Sequence, residues 1–161
     1  MSADWQLAEV NIARLRAPID DPTIKDFVDS LDRVNALAEA SPGFVWRLKG
    51  EGNSAVDLQP YEDPMIAINM SVWIDIQSLG AFVYRGDHLQ IMRRRAEWFE
   101  HMDVFMVLWW APAGHHPTID EAKSRLALLE QHGPTADAFT FKIPFPSPDA
   151  APVEPVLDKC A

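Results

Sequence analysis

Met65-Ile66-Ala67-Ile68-Asn69-Met70-Ser71-Val72-Trp73 is the stretch on which the fold turns. It is dense in Ile, Val and Met and reads as a strand. Successive strand residues point to opposite faces. One face is then Ile66, Ile68, Met70 and Val72, and the other is Ala67, Asn69, Ser71 and Trp73. The first is dry core. The second is neither dry core nor a plain solvent face, so it needs a cover that tolerates polar groups.

Upstream of this strand, Gly50 to Pro64 is a polar loop, and Phe44 to Lys49 is a short strand carrying Trp46. Ile24, Phe27, Val28, Leu31, Val34 and Leu37 recur at steps of three and four, the period of an amphipathic helix. Asp21 is its N-cap, Pro22 takes its first position, and Ser41-Pro42-Gly43 ends it. Trp5 to Arg14 is the first strand. Downstream, Asp75 caps a helix with Ile76, Leu79, Phe82 and Val83 on its apolar face. Gly86 breaks or kinks it, and Leu89, Met92, Ala96 and Phe99 continue beyond. Val104 to Ala111 is a strand buried on both faces. Thr118-Ile119-Asp120-Glu121 is a capping box for a last helix, stopped by Gly133-Pro134. Phe139, Phe141 and Ile143 alternate as a final strand. The order β-α-β-β-α-β, followed by α-β, is that of an α+β, ferredoxin-like split βαβ fold with an antiparallel sheet. Its helices cover one sheet face. A second copy stacking sheet on sheet covers the polar-flecked one and encloses a semi-polar cavity, which predicts a homodimeric α/β barrel.

The chain has 161 residues, about one domain by length. We expect a single domain over 1–146 and a proline-rich tail over 147–161, extended or disordered. Fourteen Lys and Arg against 24 Asp and Glu give a net charge of −10, which disfavours nucleic acid and anionic membrane as partners. The one cysteine, Cys160, excludes an internal disulfide and a cysteine-rich zinc site. No apolar run approaches the ~18 residues of a spanning helix. MSADWQLAEV lacks a basic segment followed by an apolar run, so no signal peptide is expected and the expected location is cytoplasmic. There is no G-x-G-x-x-G, P-loop or G-x-S-x-G elbow.

Several segments resemble one uncharacterised bacterial family: Asn11-Ile12-Ala13-Arg14, Pro42-Gly43-Phe44-Val45-Trp46-Arg47-Leu48 and Asn69-Met70-Ser71-Val72-Trp73. So do Phe82-Val83-Tyr84-Arg85 with His88, Arg93-Arg94-Arg95 with Trp98-Phe99, and Trp109-Trp110-Ala111-Pro112-Ala113-Gly114-His115. That family is known only as a domain of unknown function. It is grouped with the dimeric α/β-barrel superfamily, which includes antibiotic-biosynthesis and haem-degrading monooxygenases. The resemblance implies fold more than substrate, so function has to come from sites.

His88 is the first candidate. On a helix, Tyr84, His88, Met92 and Arg95 lie roughly along one face, and a histidine so placed suits a general base or an axial metal ligand. The bland alternative is a capping histidine. In the enzyme reading His88 removes a proton, Asn11 and Asn69 orient a carbonyl or its oxyanion, and Trp73 and Trp109 wall a pocket for an aromatic or conjugated metabolite. Tyr84, Arg95 and Arg47 complete the substrate-binding set, the arginines as an anion clamp. The resemblance implies no cofactor in some relatives, where the substrate carbanion itself reduces oxygen. In the haem-degrading members it implies Asn11, Trp73 and His88 around a haem, with His88 as the ligand. No other metal is expected, because adjacent His115 and His116 point to opposite sides of an extended chain. The third reading is a dimer that binds a small molecule without turnover.

Overall fold

The protein is described by a computed structural model covering residues 4–149, the side chain of Asp87 excepted. The long strand β1 (Trp5–Leu15) leads through a 3-10 turn (Pro22–Ile24) into helix α1 (Lys25–Ala40), then β2 (Phe44–Arg47) and β3 (Ile66–Trp73). Three short helices follow, α2 (Ile76–Val83), α3 (Gly86–Arg93) and α4 (Arg95–Trp98). The strands β4 (Phe99–Glu100) and β5 (Met106–Pro112) and the helix α5 (Ile119–His132) complete the order. The sheet is antiparallel, in the order β2-β3-β1, with β4 and β5 both on the far side of β1. This is the expected ferredoxin-like order. The sequence-predicted caps form: Asp21 Oδ1 accepts from Thr23 N at 2.9 Å, Asp75 Oδ1 from Ser78 N at 2.8 Å and Thr118 Oγ1 from Glu121 N at 3.1 Å. Pro22 sits in the 3-10 turn rather than in the α-helix itself.

Register fixes the two faces. Leu7 pairs with Trp73 and Trp110, Glu9 with Ser71 and Leu108, Asn11 with Asn69 and Met106, and Ala13 with Ala67. These residues share a face that packs under Ala38 of α1, Ile76, Leu79 and Val83 of α2, and Phe139 and Phe141 beyond α5. The opposite face carries Ala8, Val10, Ile12, Ile66, Ile68, Met70, Val72, Val107 and Trp109. It packs against Ala122, Leu126 and Leu129 of α5 and against Leu58 and Tyr61 of the loop before β3. Lys123 fastens that loop, donating to the Pro60 carbonyl at 2.9 Å and lying 4.5 Å from the Tyr61 ring centre.

This reverses the expected cover. The Asn69–Ser71–Trp73 face lies beneath the helices of the βαβ halves, and the aliphatic face is sealed by α5 and the loop of the same chain. The open sheet that called for a second copy is reduced to a strip around the exposed Asn69, and a dimer no longer follows from it. A period of two assigns residues to two faces but does not say which one the crossover helices take.

The expected break at Gly86 forms, with φ +59°, and two further expectations change. The segment beyond it breaks a second time, at Arg94, so that three helices lie between Ile76 and Trp98. Phe99, expected on the helix, begins β4 instead. The final strand reduces to one bridge, in which Phe139 and Leu108 exchange both backbone hydrogen bonds at 2.8 and 2.9 Å. The chain then docks irregularly, and the Phe145 carbonyl accepts from Trp110 Nε1 at 2.9 Å. Ser147, at the start of the expected tail, is buried, and residues 150–161 lie outside the described residues.

Gly43 makes the turn between α1 and β2 possible. Its φ is +84°, and a Cβ there would lie 2.2 Å from Ser78 Oγ and 2.9 Å from Ile74 Cγ1. Gly43→Ala should destabilise the fold by about 1–3 kcal/mol. Gly52→Ala, where nothing lies within 4 Å of the new methyl group, should change little. Urea midpoints at constant m would show this difference.

Candidate functional site

Glu9 occupies the middle of β1, a strand with neighbours on both sides, and its side chain lies under the helices at 4% exposure. A carboxylate there must be hydrogen-bonded or neutral. Both answers are partly in use. Asn11 Nδ2 donates to Glu9 Oε1 at 2.6 Å, and Ser71 Oγ donates to Oε2 at 2.9 Å. Burial outweighs these two bonds and pushes the carboxyl up from 4.5 to about 7. Trp73 Nε1 donates in turn to Ser71 Oγ at 2.9 Å, giving an ordered run of donors Trp73–Ser71–Glu9. A carboxyl that titrates near 7 populates both forms at neutral pH and is suited to general acid–base work.

The surface beside Glu9 is less tightly closed. On the helix side of the sheet, the Leu7–Trp73 row is fully packed, and Leu15 is buried in a separate cluster with Ile24 and Trp98. Between them, Asn11, Ala13 and Ala67 are half-buried and Asn69 is exposed. Small side chains and two amides thus form a floor between two apolar clusters, with Glu9 at its inner margin.

Four of the sequence-predicted residues come to this face: Asn11, Asn69, Trp73 and Arg47, the last pairing with Ser71 across β2 and β3. Trp109 does not. It lies on the opposite face, where its Nε1 donates to Glu121 Oε2 at 2.9 Å, so Trp73 and Trp109 cannot wall one pocket. Tyr84 caps the C-terminus of α2 and packs edge-on against Phe141, with ring centres 5.7 Å apart. Arg95 opens α4, its guanidinium 5.2 Å from the Phe105 ring centre. The stripe through Tyr84, His88 and Arg95 is therefore broken at two helix ends. Arg94, between them, joins α4 to α1 through Asp26 at 2.9 Å and lies over Trp98.

His88 is half-buried on α3, and its Nδ1 meets the Val83 carbonyl at 2.9 Å. A carbonyl only accepts, so Nδ1 carries the proton and His88 caps the end of α2 across the Gly86 break. Burial lowers its pKa and keeps it neutral. Phe82 stands between His88 and Trp73, with ring centres 4.9 Å from the one and 5.4 Å from the other. These residues do not fit a haem. Phe82 fills the space a macrocycle would need, the indole of Trp73 is sealed at 1% exposure, and the Asn11 amide is committed to Glu9. His115 pairs with Glu121 at 2.6 Å, and His116 stacks on Trp46 at 4.8 Å. Among the described residues, no group of three or more His, Cys, Asp or Glu could hold a metal ion, and no helix is long and apolar enough to cross a membrane.

Glu9 escaped sequence reasoning, although its signal was present. It is an acidic residue in mid-strand, between Ala8 and Val10, on the same alternation as Leu7 and Asn11.

The sequence profile of the family described as "Domain of unknown function (DUF3291)" matches residues 6–155. No curated protein matches the chain. Among solved structures it is similar to a conserved protein from Methanosarcina mazei Go1, at 11% identity over 68% of this chain and 93% of that one, with a TM-score of 0.49. It is similar to the Pseudomonas aeruginosa protein PA3566, at 11% identity over 73% of this chain and 100% of that one, with a TM-score of 0.47. It is also similar to a Nitrosomonas europaea protein provisionally named an antibiotic biosynthesis monooxygenase, at 14% identity over 73% and 97%, with a TM-score of 0.45. The likenesses are slight, and the fold assignment stands on the sheet order and register.

Proposed function

The chain belongs to the DUF3291 family, and from its geometry we propose that it is a small monooxygenase-like enzyme in which Glu9, rather than His88, is the base. Its substrate is an aromatic or conjugated metabolite lying over Asn11 and Asn69. The observation that carries this reading is the buried Glu9 carboxyl, held by Asn11 and Ser71 and titrating near 7. Such a group costs the fold stability at neutral pH, and residues that break the local rules of burial concentrate at functional sites.

The chemistry balances without a resident cofactor. Glu9 takes a proton from an acidic CH2 group, and the delocalised carbanion is itself the reductant for dioxygen. One oxygen atom becomes the new carbonyl and the other leaves as water, carrying the two hydrogens of the CH2 group. In this reading the exposed Asn69 is the amide donor to the enolate oxygen, while Asn11 holds the Glu9 carboxyl in place. Proton abstraction can be read without knowing the natural substrate, by NMR of hydrogen–deuterium exchange at the acidic CH2 of 2-tetralone. The protein should accelerate the exchange with a rate that rises through about pH 7. Glu9→Gln should lower it by about 10²–10⁴-fold with the fold intact. Exchange that Glu9→Gln leaves unchanged, or no acceleration at all, would reject the reading.

A further inference from the structure

At the outer edge of β2, away from Glu9, a groove of about 380 Å³ runs between the strand and the end of α1. Phe44 and Trp46 supply apolar wall, and its charged lining is Arg47, Lys49 and Glu39. We propose that this groove is a binding site for a flat monocarboxylate, with Arg47 as its anchor.

Arg47 is the unusual member. Its side chain is only 5% exposed. Nη1 donates to the Asn53 carbonyl at 2.5 Å and Nη2 to Asn53 Oδ1 at 2.8 Å. Asn53 is itself held to α1 by Asp32 at 3.0 Å. The guanidinium is thereby fixed in place. Its Nε is buried with no hydrogen-bond partner among the described residues. A buried donor left unmet is rare and marks a position where a partner is missing.

The one acidic group in the groove is a loose counter-ion. Glu39 Oε1 lies 3.5 Å from Arg47 Nη2, and Glu39 Oε2 lies 4.0 Å from Lys49 Nζ. Both are long against the ~2.7–2.9 Å of a charge-assisted hydrogen bond. Two cations face one half-exposed carboxylate, a local excess of positive charge on a chain of net −10. A carboxylate that displaces Glu39 meets Nη2 and Nε side by side, the paired geometry that arginine offers to planar anions. Phe44, on the same side of the strand as Arg47, favours an aryl group behind it. The site uses neither Glu9 nor its proton, so it stands or falls independently of the proposed reaction.

Benzoate is the probe, and the Arg47 Nε–H resonance in a ¹H–¹⁵N spectrum is the readout. The expected result is a saturable shift with a Kd of about 1 mM or tighter. Benzamide, which lacks the charge, should give no shift. Glu39→Gln removes the competing carboxylate and should tighten binding about two- to fivefold, the range of an exposed ion pair. Arg47→Met, followed through the backbone amide of Leu48 in the same groove, should weaken it by about tenfold or more. If that variant fails to fold, the Glu39→Gln result still decides. No shift at about 10 mM benzoate in either the natural chain or Glu39→Gln would overturn the proposal. So would an equal response to benzamide or to chloride.

Discussion

Phe139→Ala should lower the unfolding free energy by about 3–5 kcal/mol, while Ile143→Ala, four residues on, should change it by less than about 0.5 kcal/mol. Phe139 is fully buried. It packs at 5.9 Å from Phe145 and 6.5 Å from Trp110, and its backbone closes the outer edge of β5 on Leu108. Ile143 is 53% exposed. Read as a strand, Phe139, Phe141 and Ile143 fall on one face and should be buried alike. The bridge at Phe139 is the whole of the pairing, and the chain leaves the sheet before Ile143 turns inward. Equilibrium urea unfolding of the two variants would separate these accounts. Comparable losses would restore the strand.

Glu9→Gln should gain stability relative to the natural chain by about 3 kcal/mol between pH 4.5 and pH 8. The carboxyl titrates at about 7 in the folded state against 4.5 when exposed. Between those values the folded state holds more protons than the unfolded state, so stability falls as pH rises through that window and levels off above it. A shift of about 2.5 units at 1.36 kcal/mol per unit gives the size. Glutamine has no proton to lose and removes the slope. His88 works in the other direction. Burial lowers its pKa, so the unfolded state binds the extra proton and the fold loses stability as pH drops below 6.5. The two windows overlap, so in the natural chain the two slopes offset one another, whereas Glu9→Gln should simply gain stability as pH rises to about 6.5. Urea unfolding of both proteins at several pH values measures this, and parallel curves would sink the assignment of a raised carboxyl.

Much of the site was already legible by position. Asn11, Asn69, Ser71 and Trp73 fell on one alternation, and the register of β1 against β3 places them as neighbours. What misled was continuity. Tyr84, His88 and Arg95 were joined by helical spacing across Gly86, where the φ of +59° ends one helix and begins another. Composition does not separate the adjacent Trp109 and Trp110, and it is Trp110 that faces the helices.

By itself the sequence determined most of the elements and the ferredoxin-like order they follow, though not β4 or the single bridge at Phe139. Local signals suffice for that: the periods of two and 3.6, and the side-chain caps at Asp21, Asp75 and Thr118. Only the tertiary structure decided which face of the sheet each helix covers. It decided that α5 and the loop pinned by Lys123 close the aliphatic face, and that Glu9 is buried deeply enough to titrate near 7. Those outcomes depend on contacts between segments far apart in the chain. Whether a carboxylate in mid-strand meets water or a helix is not encoded in the residues beside it. It is set by what the rest of the chain lays over it.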